Sequence, residues 1–238
     1  MLPPALPAEP SAEAAGFWPR AVAWLIDATL VALPVWALLA LTPGDRLAGL
    51  TTQWRALGGV AGQALIASAE RGEAPLVMLQ SLGSPASPMR QAMSTFSADA
   101  YEAAWPALAL FVVIGLLYWP LQEAGRHHAT FGKRALGLEV EGARGAGLSP
   151  GLAYRRHVAG GLSWLTLNIG HLLAANEPGH RALHDRIAGT RVVWQANARR
   201  TVPAWGWGLV AIACLLPLVI AVKAAASLSA AMQAALGI

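Results

Sequence analysis

Arg20, Asp27 and Pro34 recur every seven residues, and on a helix of 3.6 residues per turn this spacing puts them on one stripe beside Trp24 and Val31. The stripe runs into an apolar stretch, residues 21–41, about the 20 residues that an α-helix needs to cross a hydrocarbon core. With Arg20 at the interface, Asp27 lies about 10 Å deeper, at a rise of ~1.5 Å per residue. An ionised carboxylate at that depth is costly unless it is paired or hydrated. Two chemistries fit. A carboxylate in a low-dielectric setting can alternate between charged and neutral forms and so serve as a proton or cation site. It can equally bind an arginine or a backbone amide and latch the helix in place.

Other reactive constellations are sparse. His180 and His184 stand four apart, a spacing that can put two imidazoles on one helical face, with Asp185 and Glu177 nearby. There is no H-E-x-x-H to strengthen a zinc reading, and no metal is expected. His127 and His128 follow the aromatic end of an apolar run and read as interfacial. Cys214 is the single cysteine, so a disulfide within the chain or a thiol redox pair cannot be built. No Walker loop, Rossmann glycine pattern, nucleophile elbow or C-x-x-C is present, and two aspartates do not make a membrane aspartyl protease when Asp185 lies outside any convincing span. The sequence calls for no cofactor and does not read as an enzyme.

The elements that must carry these residues are membrane helices. The 238 residues are 55% hydrophobic and 13% charged, too apolar a balance for an ordinary soluble domain of this length. The net charge of +4 comes from bases spread along connecting segments, which argues against nucleic-acid binding. Beyond the first span at 21–41, residues 104–122 form a second, with Tyr101 and Trp105 at one end and Tyr118 and Trp119 at the other. Residues 204–222 form a third, entered through Trp205 and Trp207 and left at Lys223, which can snorkel. The proline-rich, acidic residues 1–16 read as a disordered tail with no signal-peptide pattern.

Residues 158–175 are short, broken by Gly160 and Gly161, and hold Asn168 and His171. Were they to cross, the Arg-rich residues 176–203 would fall on the opposite side from the basic residues 123–157. The positive-inside rule disfavours that split. A re-entrant or interfacial helical hairpin instead keeps all eleven bases of the two stretches on the cytoplasmic side. Residues 42–103 then fall outside, with helical spacing through Leu50, Trp54, Leu57 and Ala61 and a chain break at Gly83 to Pro88. An internal repeat supports the hairpin. Lys133 to Val140 aligns with Asp185 to Val192, sharing an Arg, a Gly and a Val. In each copy the residues after Gly alternate as in a short half-buried strand, and two such strands can pair only on one side of the membrane.

Three blocks carry a family resemblance. Gly16-Phe17-Trp18-Pro19-Arg20 continuing to Asp27, then Thr130-Phe131-Gly132-Lys133-Arg134, then Leu183-His184-Asp185-Arg186 occur in the order found in the RDD family of bacterial membrane proteins, which this chain resembles over about 20–41 and 105–195. The arginine and two aspartates of the family name fall at Arg20, Asp27 and Asp185. The long exported loop, the added C-terminal span and Phe131 in place of a proline depart from that pattern. The resemblance implies an integral protein of the bacterial cytoplasmic membrane, multi-pass, of poorly defined biochemistry, for which transport including cation/proton exchange has been suggested.

The expected fold is therefore an all-α membrane protein: three transmembrane helices, a re-entrant or interfacial helical hairpin, and two short paired cytoplasmic strands. Its parts are a cytoplasmic tail (1–16), a membrane domain (17–195) with the exported loop 42–103, and a linker with an additional C-terminal helix (196–238). Asp27, Arg20 and Asp185 are the candidate ion or proton site, with Lys133, Arg134, His184 and Arg186 as a supporting charged cluster at the same membrane level. Arg155 and Arg156 are expected to touch anionic lipid headgroups. Ser149 and Pro150 should cap and start the hairpin's first helix. Three spans enclose little of a pathway, so a transporter reading also asks for a homo-oligomer or a membrane partner. A non-transporting accessory or scaffold role in the cell envelope is the alternative.

Overall fold

The computed structural model describes residues 12–41, 46–176 and 179–238. Along the chain run α1 (Phe17–Ala40), α2 (Arg46–Glu70), α3 (Pro75–Gly83), α4 (Pro88–Ala124), α5 (Phe131–Ala135), β1 (Leu138–Glu141), α6 (Pro150–Leu165), α7 (Ile169–Leu172), α8 (Leu183–Ala188), β2 (Arg191–Trp194) and α9 (Ala204–Leu236). Among the described residues three helices, α1, α4 and α9, are long and apolar enough to cross a membrane. At ~1.5 Å per residue, α4 and α9, with 37 and 33 residues, exceed the ~30 Å of a hydrocarbon core. Both must continue into the aqueous phase. The second span thus begins as part of a helix that starts at Pro88, well before residue 104.

The chain forms two compact units, one from Met1–Val35 and Phe111–Ile212, the other from Trp36–Leu110 and Ala213–Ile238. The first unit is built around the repeat. α5 and α8 each end on a glycine at φ +70, Gly137 and Gly189, and each then turns into a strand. The left-handed backbone is open to glycine without a Cβ penalty. β1 and β2 pair antiparallel with Val140 opposite Val192 and Glu141 opposite Arg191, whose side chains form an ion pair at 2.9 Å. Leu138 and Val140 face inward and join Val22, Ala23, Ala153, Val192 and Trp194 in the core.

β2 is buried at Val192, Val193 and Trp194 because its other edge is covered. Ala14 bridges Val193, Ala15 N–H donates to the Val192 carbonyl, and Trp194 N–H donates to that of Glu13. Residues 13–15 are thus an edge strand and not part of a disordered tail, since pairing here satisfies backbone groups that an open sheet edge would leave bare. Residues 1–11 of the expected tail lie outside the described residues.

Residues 158–175 belong to a bent helix pair. Ser149 Oγ accepts from Leu152 N–H at 3.3 Å to cap α6, and Pro150 opens the helix. α6 then breaks at Leu167 and Asn168, at φ +51 and +65. The chain turns by 115° into α7 and the short turn after it. Leu165, Leu167 and Ile169 at the elbow are exposed, as befits side chains directed at lipid. In the second unit, α2 meets α9 closely: a Cβ on Gly58 would lie 2.6 Å from the Leu228 carbonyl, and one on Gly62 2.8 Å from that of Met232.

Strands joined by hydrogen bonds cannot lie on opposite faces of a bilayer, so the β1–β2 pair returns both ends of the bent segment to one side. With Cys214 replaced by serine, cysteines placed singly at Ala146 and Asn197 should react with an impermeant maleimide from the same face of oriented vesicles. Labelling from opposite faces would show a full crossing and contradict the strand pairing.

Candidate functional site

Asp27 is 1% exposed, on the face of α1 that meets α5. Its carboxylate accepts from Tyr118 Oη at 2.7 Å, from Thr130 Oγ1 at 2.5 Å and from the Gly132 amide at 2.7 Å. Thr130 is the N-cap of α5, and its hydroxyl also accepts from the Lys133 amide at 3.3 Å. Gly132 is required by the approach itself. A Cβ there would sit 2.0 Å from the Ala23 carbonyl, a separation no side chain tolerates.

Arg20, two turns earlier, meets the other half of the repeat. Its Nη1 donates to Asp185 Oδ2 at 2.5 Å, its Nη2 to the His180 carbonyl at 2.5 Å, and its Nε to the Ala15 carbonyl at 2.9 Å. Asp185 Oδ2 also accepts from the Ala182 amide at 3.0 Å. Its Oδ1 takes Arg156 Nη2 at 2.9 Å and Nε at 3.1 Å. Arg156 Nη1 donates to both oxygens of Glu123 at 2.8 Å, and Lys133 Nζ pairs with the same carboxylate. The result is a continuous buried network, Arg20–Asp185–Arg156–Glu123–Lys133, with Asp27 against the same short helix as Lys133. Three cations face three carboxylates, so the formal charge of the site cancels.

Burial and neighbouring charges shift the groups of α5 and α8. Burial lowers the Lys133 ammonium, with Glu123 opposing that shift and Arg156 adding to it. Burial alone would raise the Asp185 carboxyl, but Arg156 and Arg20 outweigh it and hold the group below the usual carboxylate range. Burial, aided by Arg156, brings the His184 imidazole down to about 3. Arg156 Nη2 lies 3.1 Å from His184 Nε2. A guanidinium only donates, so Nε2 accepts and Nδ1 carries the proton.

Of the expected site residues, Arg20, Asp185, Lys133 and His184 come together. Asp27 sits beside them with its own partners and bonds neither Arg20 nor Asp185. Arg134 stacks its guanidinium 4.1 Å over the Phe131 ring, and Arg186 is exposed and donates to the Arg181 carbonyl at 3.1 Å. Neither joins the network. Arg156 is 6% exposed and committed to two carboxylates, so it cannot serve as a headgroup contact. Arg155 keeps an exposed position while donating to the Ala188 carbonyl at 2.9 Å. His180 precedes α8 at φ +47, so the 180/184 pair shares no helical face, and the described residues hold no cluster of three or more metal-ligating groups. Glu123 is not among the expected site residues, and Tyr118 was read only as part of an interfacial aromatic belt. The available signal for Glu123 is an acid at the end of an apolar run, ahead of the cations Lys133 and Arg156.

A family model described as the RDD family matches residues 14–189. The chain belongs to the RDD family. The "Uncharacterized protein YxaI" of Bacillus subtilis (strain 168) is 29% identical over 181 residues, 76% of this chain and 97% of YxaI. No solved structure matches. The RDD match spans Arg20, Asp27 and Asp185 together with Glu123, Lys133 and Arg156, and it ends before β2 and α9. Family membership and three apolar helices together identify a membrane protein.

Removing one carboxylate from the network strands a buried cation. Asp185→Asn should lower stability by roughly 3–5 kcal/mol, read as a lower midpoint of thermal unfolding in detergent. His184 sets a pH dependence. Its unfolded value is ~6.5 and its folded value about 3, so between these the unfolded chain binds a proton that the folded one refuses. Stability should therefore fall as pH drops from ~6.5 toward 3, and His184→Gln should flatten that slope.

Proposed function

We propose that this RDD protein is a transporter-like, non-enzymatic protein of the bacterial cytoplasmic membrane that exchanges protons for monovalent cations. Its N-terminus is cytoplasmic in this reading, which places the basic residues of the repeat on the inner face. The observation that carries the proposal is the setting of Asp27: a carboxylate 1% exposed within a candidate span, with two hydroxyls among its three donors. A hydroxyl can reverse from donor to acceptor by rotating its hydrogen. Protonation of Asp27 then needs no movement of heavy atoms. Lys133, coupled electrostatically to Asp27 and to Glu123, offers the compensating charge, while Arg20 and Asp185 hold the mouth of the site in register. Three spans enclose no pathway by themselves, so the active form is a homo-oligomer or a complex with a membrane partner, set among anionic headgroups.

A second reading has its own support. The third donor to Asp27 is the Gly132 amide, at a point where α5 touches the α1 backbone, and such a bond fastens one helix to another. In that case Asp27 is a latch, and the protein is an accessory or scaffold of the cell envelope.

Proteoliposomes separate the two. Ion-driven proton movement, scanned over Na⁺, K⁺ and Li⁺, should be present with wild type and absent with Asp27→Asn, while the variant reaches the membrane in normal amount and melts near the wild-type temperature. Loss of abundance before any loss of transport, or silence from folded wild type, would favour the latch.

A further inference from the structure

The second unit contains a groove of about 460 Å³ among α2, the first part of α4 and the last part of α9, within the ~300–1,000 Å³ usual for small-ligand clefts. Its wall is apolar. Trp54 and Phe96 pack at 5.4 Å between ring centroids, and Leu50 and Ile220 extend the surface. The polar side chains of the wall, other than the two cations, are already satisfied. Trp54 Nε1 and Ser227 Oγ each donate to the Ala224 carbonyl at 2.8 Å, and Thr51 Oγ1 donates to the Ala48 carbonyl at 2.9 Å.

Arg55 and Lys223 also line the groove. Both are exposed, and neither has an ion pair with another described residue. A ligand that completes this site therefore has an anionic end for the two cations and an apolar body for the wall. Among the described residues no carboxylate lines the groove, so its charged groups, Arg55 and Lys223, favour a headgroup of net negative charge over a zwitterionic one. Lys223 closes the apolar run 204–222 of α9, which places its ammonium where a helix leaves the hydrocarbon and meets phosphates.

We propose that this groove binds one anionic phospholipid of the surrounding bilayer, its phosphate held by Arg55 and Lys223 and an acyl chain lying along Trp54, Phe96 and Leu50. The site is separate from the buried charge network and does not depend on whether the protein transports. Its specificity follows from the pairing of charge with an apolar trough: phosphate alone lacks the chain, and a zwitterionic lipid offers a headgroup with no net charge.

Native mass spectrometry of the delipidated full-length protein tests this, with phosphatidylglycerol, phosphatidylcholine and inorganic phosphate each added alone. Phosphatidylglycerol should give a one-to-one adduct, and the other two should not. Replacing Arg55 and Lys223 together by glutamine should weaken that adduct roughly tenfold or more. Leu50→Trp, which fills the trough and keeps both cations, should weaken it as well. If Leu50→Trp lowers the melting temperature, Ile220→Trp takes its place. Equal retention of phosphatidylcholine, binding of inorganic phosphate as strong as that of the lipid, or undiminished lipid binding by the double glutamine variant would each overturn the assignment.

Discussion

Arg156 stands between two carboxylates that come from distant parts of the chain, Glu123 at the end of α4 and Asp185 in α8, and its planar guanidinium has donors for both. The buried charge network of the first unit is hung on that bridge. With one oxygen of Asp185 engaged by Arg156, the other is free to take Arg20 and so α1. With both oxygens of Glu123 held by the one Nη1 of Arg156, Lys133 can share the carboxylate and so fix α5. A lysine in place of Arg156 would bring a point charge on a flexible stem and could not span the two acids in one plane. In a buried site the alternative to such pairing is an isolated charge, whose desolvation is paid in full.

The repeat gives this arrangement an approximate symmetry. α5 and α8 are short helices that each end on a left-handed glycine and run into paired strands, and Lys133 and Asp185 occupy the same position in the two copies. One copy contributes a cation and the other an anion. α1 answers with the opposite sign to Asp185 through Arg20, and it meets the start of α5 through Asp27. Seven residues, close to two helical turns or about 10 Å, separate these contacts. The spacing that first marked the stripe on α1 is thus the spacing between two docking helices.

Much of this is legible in the sequence. The spans followed from length and apolar content, the bent segment from the distribution of basic residues, and the strands from alternation after a repeated glycine, because all three are local or periodic signals. Arg20 and Asp27 stood out as charges at and within an apolar run, whereas Asp185 and Lys133 entered through the repeat and the family resemblance. Glu123 and Arg156 did not read as partners because each sits at an interface by sequence, where a solvated role is the ordinary one, and 33 positions separate them. The edge strand at residues 13–15 was hidden by a proline-rich composition, since nothing in those residues announces an edge that β2 will offer from almost 180 positions away. The helical spacing of the histidines at 180 and 184 carried little weight, since a shared face needs a helix beneath both and the backbone at His180 is left-handed.

The distance between Arg20 and Asp185, 165 positions, also bears on how the chain is made. At ~5–20 residues per second, the first helix enters the membrane roughly ten to thirty seconds before its salt-bridge partner leaves the ribosome. Tyr118, 91 positions after Asp27, arrives sooner, and Thr130 and Gly132 shortly after it. The nascent protein thus passes through a stage in which an acid in its leading helix has no mate. Closure of the charge network therefore waits on the later half of the chain, because Arg20 meets its carboxylate 165 positions on, whereas Asp27 can be held earlier.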